Sequence, residues 1–250
     1  MQWYLGMQAS ASTWIYNAAL KIAPILAPDR PATGRFVAYH GKLAFLDEPN
    51  LLHIVKSHGV DAATADGLAR HATSILISVR DPRDAVASLM LYHSQDFKHA
   101  LTEVERAAYT CAQFMGDSRT SLLRYETRFT ETPDTIDLIA RAFHRPLPHE
   151  ARDQIFNDSR RENVEKLINK LEQLPTARRA GDDLYDSETQ WHKLHAGRTG
   201  EIGKWRHALN DAQIARIEAR LFDWMQKFEY APTRTPGLIA KLKNMARGTT

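Results

Sequence analysis

The chain has 250 residues, of which 43% are hydrophobic and 25% charged, with a formal net charge of +3. That balance is ordinary for a soluble globular protein and lies outside the disordered and membrane-spanning classes, and the length suits one α/β core with a variable insert. The positive charge is interspersed with acidic residues, which argues against a general nucleic-acid footprint and for a local anion site. Cys111 is the sole cysteine, so an internal disulfide and a cysteine-cluster zinc site are excluded and a reducing compartment is favoured.

Residues 2–7 read as a short buried strand and 12–26 as a helix with Ile15, Ala18, Ala19 and Ile22 on one face. Between them GMQASAST, residues 6–13, forms the tight loop of a phosphate cradle without its lysine. Set against G-x-x-x-x-G-K-[ST], Gly6 and Thr13 fit, while Ala11 and Ser12 stand where glycine and lysine are expected. Free N–H groups at the helix start and the hydroxyls of Ser10, Ser12 and Thr13 can still hold a phosphate or sulfate. A hydroxyl-capped helix after a strand also occurs without any ligand.

After a polar connection, LLHIVKSHG (51–59) has a strand-like core, with Lys56 and His58 two residues apart on one side of the strand end. A short helix is expected over 61–72, and ILISVR (75–80) is the clearest strand. Asp81 as N-cap, Pro82 in the first helical position and Asp84 in the third start the next helix. Arg80 leaves the strand and Ser88 lies two turns into this helix, so both can bind an anion; the alternative is a surface arginine paired with Asp81 or Asp84. Further helices are expected over 105–117 and 132–144, a strand over 121–126, and a long helix over 210–230 begun by Asn210 or Asp211.

Strands alternating with helices predict a parallel sheet covered on both faces, with ligands at the carboxyl ends of its strands. One domain is expected over 1–235, in which 150–197 is a surface insert or lid, followed by a basic tail at 236–250 that reads as a solvated terminal helix. No basic leader with an apolar run opens the chain, and it has no run of about 18 apolar residues, so a cytoplasmic location without stable membrane insertion is expected.

Four segments in order resemble the sulfotransferases that use 3′-phosphoadenosine 5′-phosphosulfate (PAPS). GMQASASTW is similar to that family's 5′-phosphosulfate loop, G-x-P-[KR]-S-G-[ST]-T-W, and VRDPRDAVAS matches its 3′-phosphate motif R-[ND]-P-[KR]-D-x-x-x-S at every fixed position. VKSHG resembles the K-[ST]-H stretch with the catalytic base, and RTGEIGKWR the late R-K-G-x-x-G-x-W-K loop. The resemblance runs from residue 3 to about 230, outside the 150–197 insert, and implies a three-layer α/β fold, a central parallel sheet flanked by helices, like that of the P-loop nucleotide hydrolases.

The resemblance also implies roles. Ser10, Ala11, Ser12 and Thr13 would hold the 5′-phosphosulfate, Trp14 would stack on adenine, and Tyr125 would lie near it. Arg80 and Ser88, joined by Arg198, Thr199 and Gly200, would bind the 3′-phosphate. His58 would take a proton from the hydroxyl or amine of a small-molecule or glycan acceptor, releasing 3′-phosphoadenosine 5′-phosphate (PAP), with no metal required. Two departures stand out: the family's loop cation falls at Ala9, and the lysine of its late loop at Thr199. Losing one such contact costs roughly 3–4 kcal/mol of transition-state stabilisation. Lys56 is the candidate replacement. The readings are therefore a PAPS-dependent sulfotransferase or a catalytically impaired PAPS/PAP binder; an ATP phosphotransferase is disfavoured by Ser12 and by the lack of a clear magnesium-binding acid after a strand. The acceptor cannot be read, and no family dimerisation motif is evident, which leaves the oligomeric state open.

Overall fold

A computed structural model of the chain describes residues 1–181, 183–195 and 200–233. Arg198, Thr199 and the tail 236–250 lie outside the described residues. The first unit is β1 (Gln2–Gly6), α1 (Ser12–Leu26) and β2 (Ala32–Val37), followed by β3 (Leu52–Ser57), α2 (Ala62–His71) and β4 (Ser74–Val79). Next come α3 (Pro82–His93), α4 (Phe97–Phe114), β5 (Thr120–Arg124) and α5 (Asp134–Ala140). The insert holds α6 (His149–Asp158), α7 (Arg161–Ile168) and a hairpin of β6 (Ala177–Ala180) and β7 (Asp183–Asp186). α8 (Trp205–Ala208) and α9 (Asp211–Lys227) complete the described chain.

Five parallel strands form the sheet in the order β2-β3-β1-β4-β5. β1 and β3 are buried along their whole length because helices cover both faces, which is why they read as continuous apolar runs rather than alternating ones. On one face Trp3, Leu5, Val55 and Ile77 pack with Leu68 of α2, Val86 of α3, Val104 of α4 and Ile217 of α9. On the other, Tyr4, Ile54 and Leu76 pack with Ile15 and Ile22 of α1 and Ile136 of α5. Each such side chain, fully buried, contributes about 1.5–3 kcal/mol.

β2 is the strand that sequence reading passes over as a polar connection. It is an edge strand paired to β3, with half of its residues exposed and only Val37 buried, so its composition carries no apolar signal. α4 likewise starts earlier than expected, at Phe97, where the side chain of Asp96 accepts from the His99 N–H. The long terminal helix has the expected start: Asn210 and Gln213 form a reciprocal capping box. The insert is structured, with its own small apolar cluster of Ile168, Leu171 and Leu184.

Candidate functional site

The carboxyl ends of β1, β3 and β4 lie side by side, and they lead into residues 7–11, His58 and Arg80. After β1 the chain turns sharply, and Gly6 is needed there because a Cβ would come within 2.4 Å of the Ser12 Cβ. Ala9 (φ 56°) and Ala11 (φ 61°) both adopt the left-handed conformation, which costs an alanine roughly 1–2 kcal/mol. The reward is a concave run of donors: among the described residues, the N–H groups of Gln8, Ala9, Ala11, Ser12 and Thr13 meet no backbone acceptor. Such a nest at a helix N-terminus favours an anion.

The Ser10 hydroxyl is not part of that surface. It donates to the Met7 carbonyl at 2.7 Å and lies 2.8 Å from the Ser78 Oγ, fully buried, so it braces the loop from below instead of offering the expected side-chain contact. The Thr13 Oγ1 accepts from the Lys56 Nζ at 2.7 Å. Lys56 is 3% exposed, and burial lowers its pKa to about 7. It therefore brings to the loop a cation that is half-charged near neutrality and that an incoming anion would fully charge.

His58 lies beside it. The His58 Nδ1 is 2.7 Å from the Gly6 carbonyl, and since a carbonyl only accepts, Nδ1 carries the hydrogen and Nε2 is left with a lone pair. The ring is partly exposed, yet desolvation first and Lys56 second push its pKa down to about 3, with smaller contributions from His192 and His93. It is a neutral base at every physiological pH. Phe36 of β2, 41% exposed, stands edge-on to this ring at 5.8 Å and 5.5 Å from the Lys56 Nζ.

The residues of RDPRD divide their work. Arg80, 2% exposed, is no surface arginine: it donates to the Ala9 carbonyl at 3.1 Å and to the Glu201 carbonyl, and pairs with Asp84 at 3.4 Å. Its guanidinium lies 4.1 Å from the Tyr125 ring centre, and the Tyr125 hydroxyl donates to the Gly200 carbonyl. The Nε of Arg80 has no hydrogen-bond partner among the described residues. Asp81 caps α3 by accepting from the Arg83 N–H. Arg83 itself forks onto Asp81 and reaches Glu218 of α9 at 2.7 Å, fastening the helices together.

Asp84, read from sequence as a helix-start signal, does something else. Its buried carboxylate accepts from the Gly203 N–H at 2.7 Å and the Trp205 N–H at 3.0 Å, so it anchors the late loop against α3. The residue between those two donors is Lys204. Its side chain is buried, with Nζ 3.1 Å from the Ser88 Oγ and 4.7 Å from the Tyr92 ring centre. Lys204 gave no signal in the sequence because a lone lysine in a glycine loop reads as solvated.

Trp14 is almost fully buried, donates from Nε1 to the Ser159 carbonyl at 2.8 Å and packs edge-on against Phe129. The insert comes to the same end of α1: Asn17 bridges the Thr13 and Thr189 carbonyls, and the Tyr16 hydroxyl donates to the Glu188 carbonyl. Nearby, the Asp183 carboxylate holds His192 at 2.6 Å, and that ring stacks on Tyr185. This pair too escaped sequence reading, since the insert lacks a recognisable period. Among the described residues, no group of three or more His, Cys, Asp or Glu side chains could hold a metal, and no helix is long and apolar enough to cross a membrane.

No protein-family profile and no curated protein matches the chain. Solved structures do. Mouse sulfotransferase SULT7A1 complexed with PAP superposes with a TM-score of 0.59 at 12% identity, over 97% of this chain and 88% of that one. Retinol dehydratase, in complex with androsterone and the inactive cofactor PAP, gives 0.58 at 15% identity over 94% and 82% of the two chains. The same enzyme with retinol and PAP gives 0.56 at 16% identity over the same shares. The parallel sheet, its flanking helices and these superpositions together establish that the chain has the sulfotransferase fold.

Proposed function

We propose that the protein is a PAPS-dependent sulfotransferase that moves a sulfuryl group to a hydroxyl or amine of a small-molecule or carbohydrate acceptor, and that it acts in the cytoplasm. The observation that carries this reading is the convergence of the donor-lined loop at 6–13, Lys56 with His58, and Arg80 at three adjacent strand ends. The PAP complexes of the structural neighbours support it. The residues fit a nucleotide with phosphates at both ends: among the described residues the buried Nε of Arg80 lacks a partner and the loop's N–H groups meet no backbone acceptor, in a turn too tight for a Cβ at Gly6.

PAPS supplies an activated sulfuryl group whose bridging S–O bond breaks as PAP departs with the electron pair. The loop N–H groups and Lys56 hold the 5′ end and neutralise the charge that grows on the departing phosphate. The His58 Nε2 takes the proton from the acceptor as its oxygen or nitrogen bonds to sulfur. The Gly6 carbonyl fixes the tautomer that makes this possible. Trp14 and Tyr125 would contact the adenine, and Gly200 would contribute to the 3′-phosphate end with Arg80 and Ser88; Arg198 and Thr199, assigned there by the motif, lie outside the described residues. Phe36 gives the acceptor an apolar wall beside the base.

Incubation with PAPS and a metabolite extract tests this: a sulfated product by mass spectrometry is expected from wild type, without added magnesium, and none from His58→Ala. A second reading, a PAPS/PAP binder without turnover, is favoured by Ala9, whose methyl side chain brings no charge to the loop and whose carbonyl accepts from Arg80. Turnover gained by Ala9→Lys in a silent wild type would support that reading, and robust wild-type transfer would exclude it.

A further inference from the structure

We propose that Lys204 is the second cation of the 3′-phosphate subsite, standing in for the lysine that the late loop lacks at Thr199, and that it makes the protein distinguish a 3′-phosphorylated adenine nucleotide from one without that phosphate. This rests on the PAPS reading above.

Lys204 is fixed at both ends. The backbone on either side is held by the Asp84 carboxylate through the Gly203 and Trp205 N–H groups, and the side chain ends 3.1 Å from the Ser88 Oγ. Asp84 and Ser88 are spaced i, i+4 in one row of α3, and Arg80 leaves β4 two residues before that helix begins. The late loop runs beside that row, with Glu201 bonded to Arg80, Gly203 to Asp84 and Lys204 to Ser88. Lys204 thus approaches from the loop the same stripe that Arg80 approaches from the strand.

The direction of the Lys204–Ser88 bond adds a chemical point. An ammonium group only donates, so the Ser88 Oγ accepts from it and turns its own proton elsewhere. Among the described residues that hydroxyl donates to nothing. A phosphate oxygen receiving the Ser88 proton would then sit next to a buried ammonium, where charge-assisted bonds are strongest. Lysine ordinarily keeps its head group in water, whereas Lys204 is 3% exposed against the serine. A lysine at this point of the loop can therefore supply the charge that threonine at 199 cannot.

Titration calorimetry of the full chain with PAP and with adenosine 5′-monophosphate tests this. Wild type should prefer PAP. Lys204→Met, which keeps the buried stem, should weaken PAP by roughly 10- to 100-fold and leave the monophosphate unchanged, and Lys204→Arg should restore most of the preference. Should Lys204→Met fail to fold, the lysine 13Cε resonance of Lys204 in wild type is the second measurement: PAP should shift it and the monophosphate should not. Equal loss of both nucleotides, an unchanged PAP affinity, or a resonance indifferent to PAP would overturn the assignment while leaving the PAPS reading standing. Wild type that binds neither nucleotide would overturn both.

Discussion

The two ends of the candidate nucleotide site would hold an anion by opposite means. The loop at 6–13 relies on main-chain N–H groups, set by two alanines in a glycine-like conformation, and borrows its charge from Lys56 on another strand. The site around α3 relies on side chains: Arg80, Ser88 and the loop pinned by Asp84. The first end is strained and adjustable in charge near neutral pH. The second is cross-linked through buried side chains. Binding at the one end should therefore respond to pH and backbone relief, and at the other to loss of single side chains.

The base that depends on the first end gives the largest expected effect. His58→Gln should lower transfer by about 10²–10⁴-fold, measured as sulfated product per time, with PAP affinity nearly unchanged because the proposed role of the ring is to take the acceptor's proton, not to hold a phosphate. Arg80→Met should come next, weakening PAP by roughly 100-fold in calorimetry and lowering stability, since Asp84 would lose its buried partner. Arg80→Lys should not restore binding, because a point charge cannot reach the Ala9 and Glu201 carbonyls together.

Lys56 separates the two ends by pH. Its pKa is lowered from 10.5 to about 7 in the folded chain, and a bound anion would raise it again. PAP binding should thus take up a proton, and affinity should fall by up to about tenfold per pH unit between pH 7.5 and 9. Lys56→Met should bind PAP about tenfold less well at pH 7 and lose this dependence. The sign for stability is reversed. Between pH 7 and 10.5 the unfolded chain holds the extra proton, so the cost of burying Lys56 is full below pH 7 and fades as pH rises through that window. Lys56→Met should therefore be more stable than wild type at pH 7, by about 1–3 kcal/mol, and should lose that advantage near pH 10 in denaturant titrations. The smallest effect is expected from Ala11→Gly, a gain of about 0.5–1 kcal/mol from relief of the left-handed alanine.

The same contrast explains what could be read from sequence. The central strands and α1 were legible because burial on both faces leaves unbroken apolar runs and because capping residues sit at fixed offsets: α1 over 12–26 and the start of α3 at Asp81 have the expected bounds. β2 was not, because an edge strand with solvated side chains has neither signal. At the site, motif spacing brought out Lys56, His58, Arg80 and Ser88. It could not show that the Ser10 hydroxyl turns inward or that Asp84 serves the late loop rather than its own helix, since both depend on partners 68 and about 120 residues away. Lys204 and the Asp183–His192 pair were silent for the same reason: their chemistry comes from what they are folded against.

The most direct measurement is the thermal unfolding of the full chain with and without PAP. At a hundredfold excess over the dissociation constant, a ligand of the folded state adds about 2.7 kcal/mol, which for a domain of this size raises Tm by roughly 5–10 °C. Tm should rise by that order with PAP and by less with adenosine 5′-monophosphate at the same concentration. A Tm that does not move at millimolar PAP would contradict the PAPS reading.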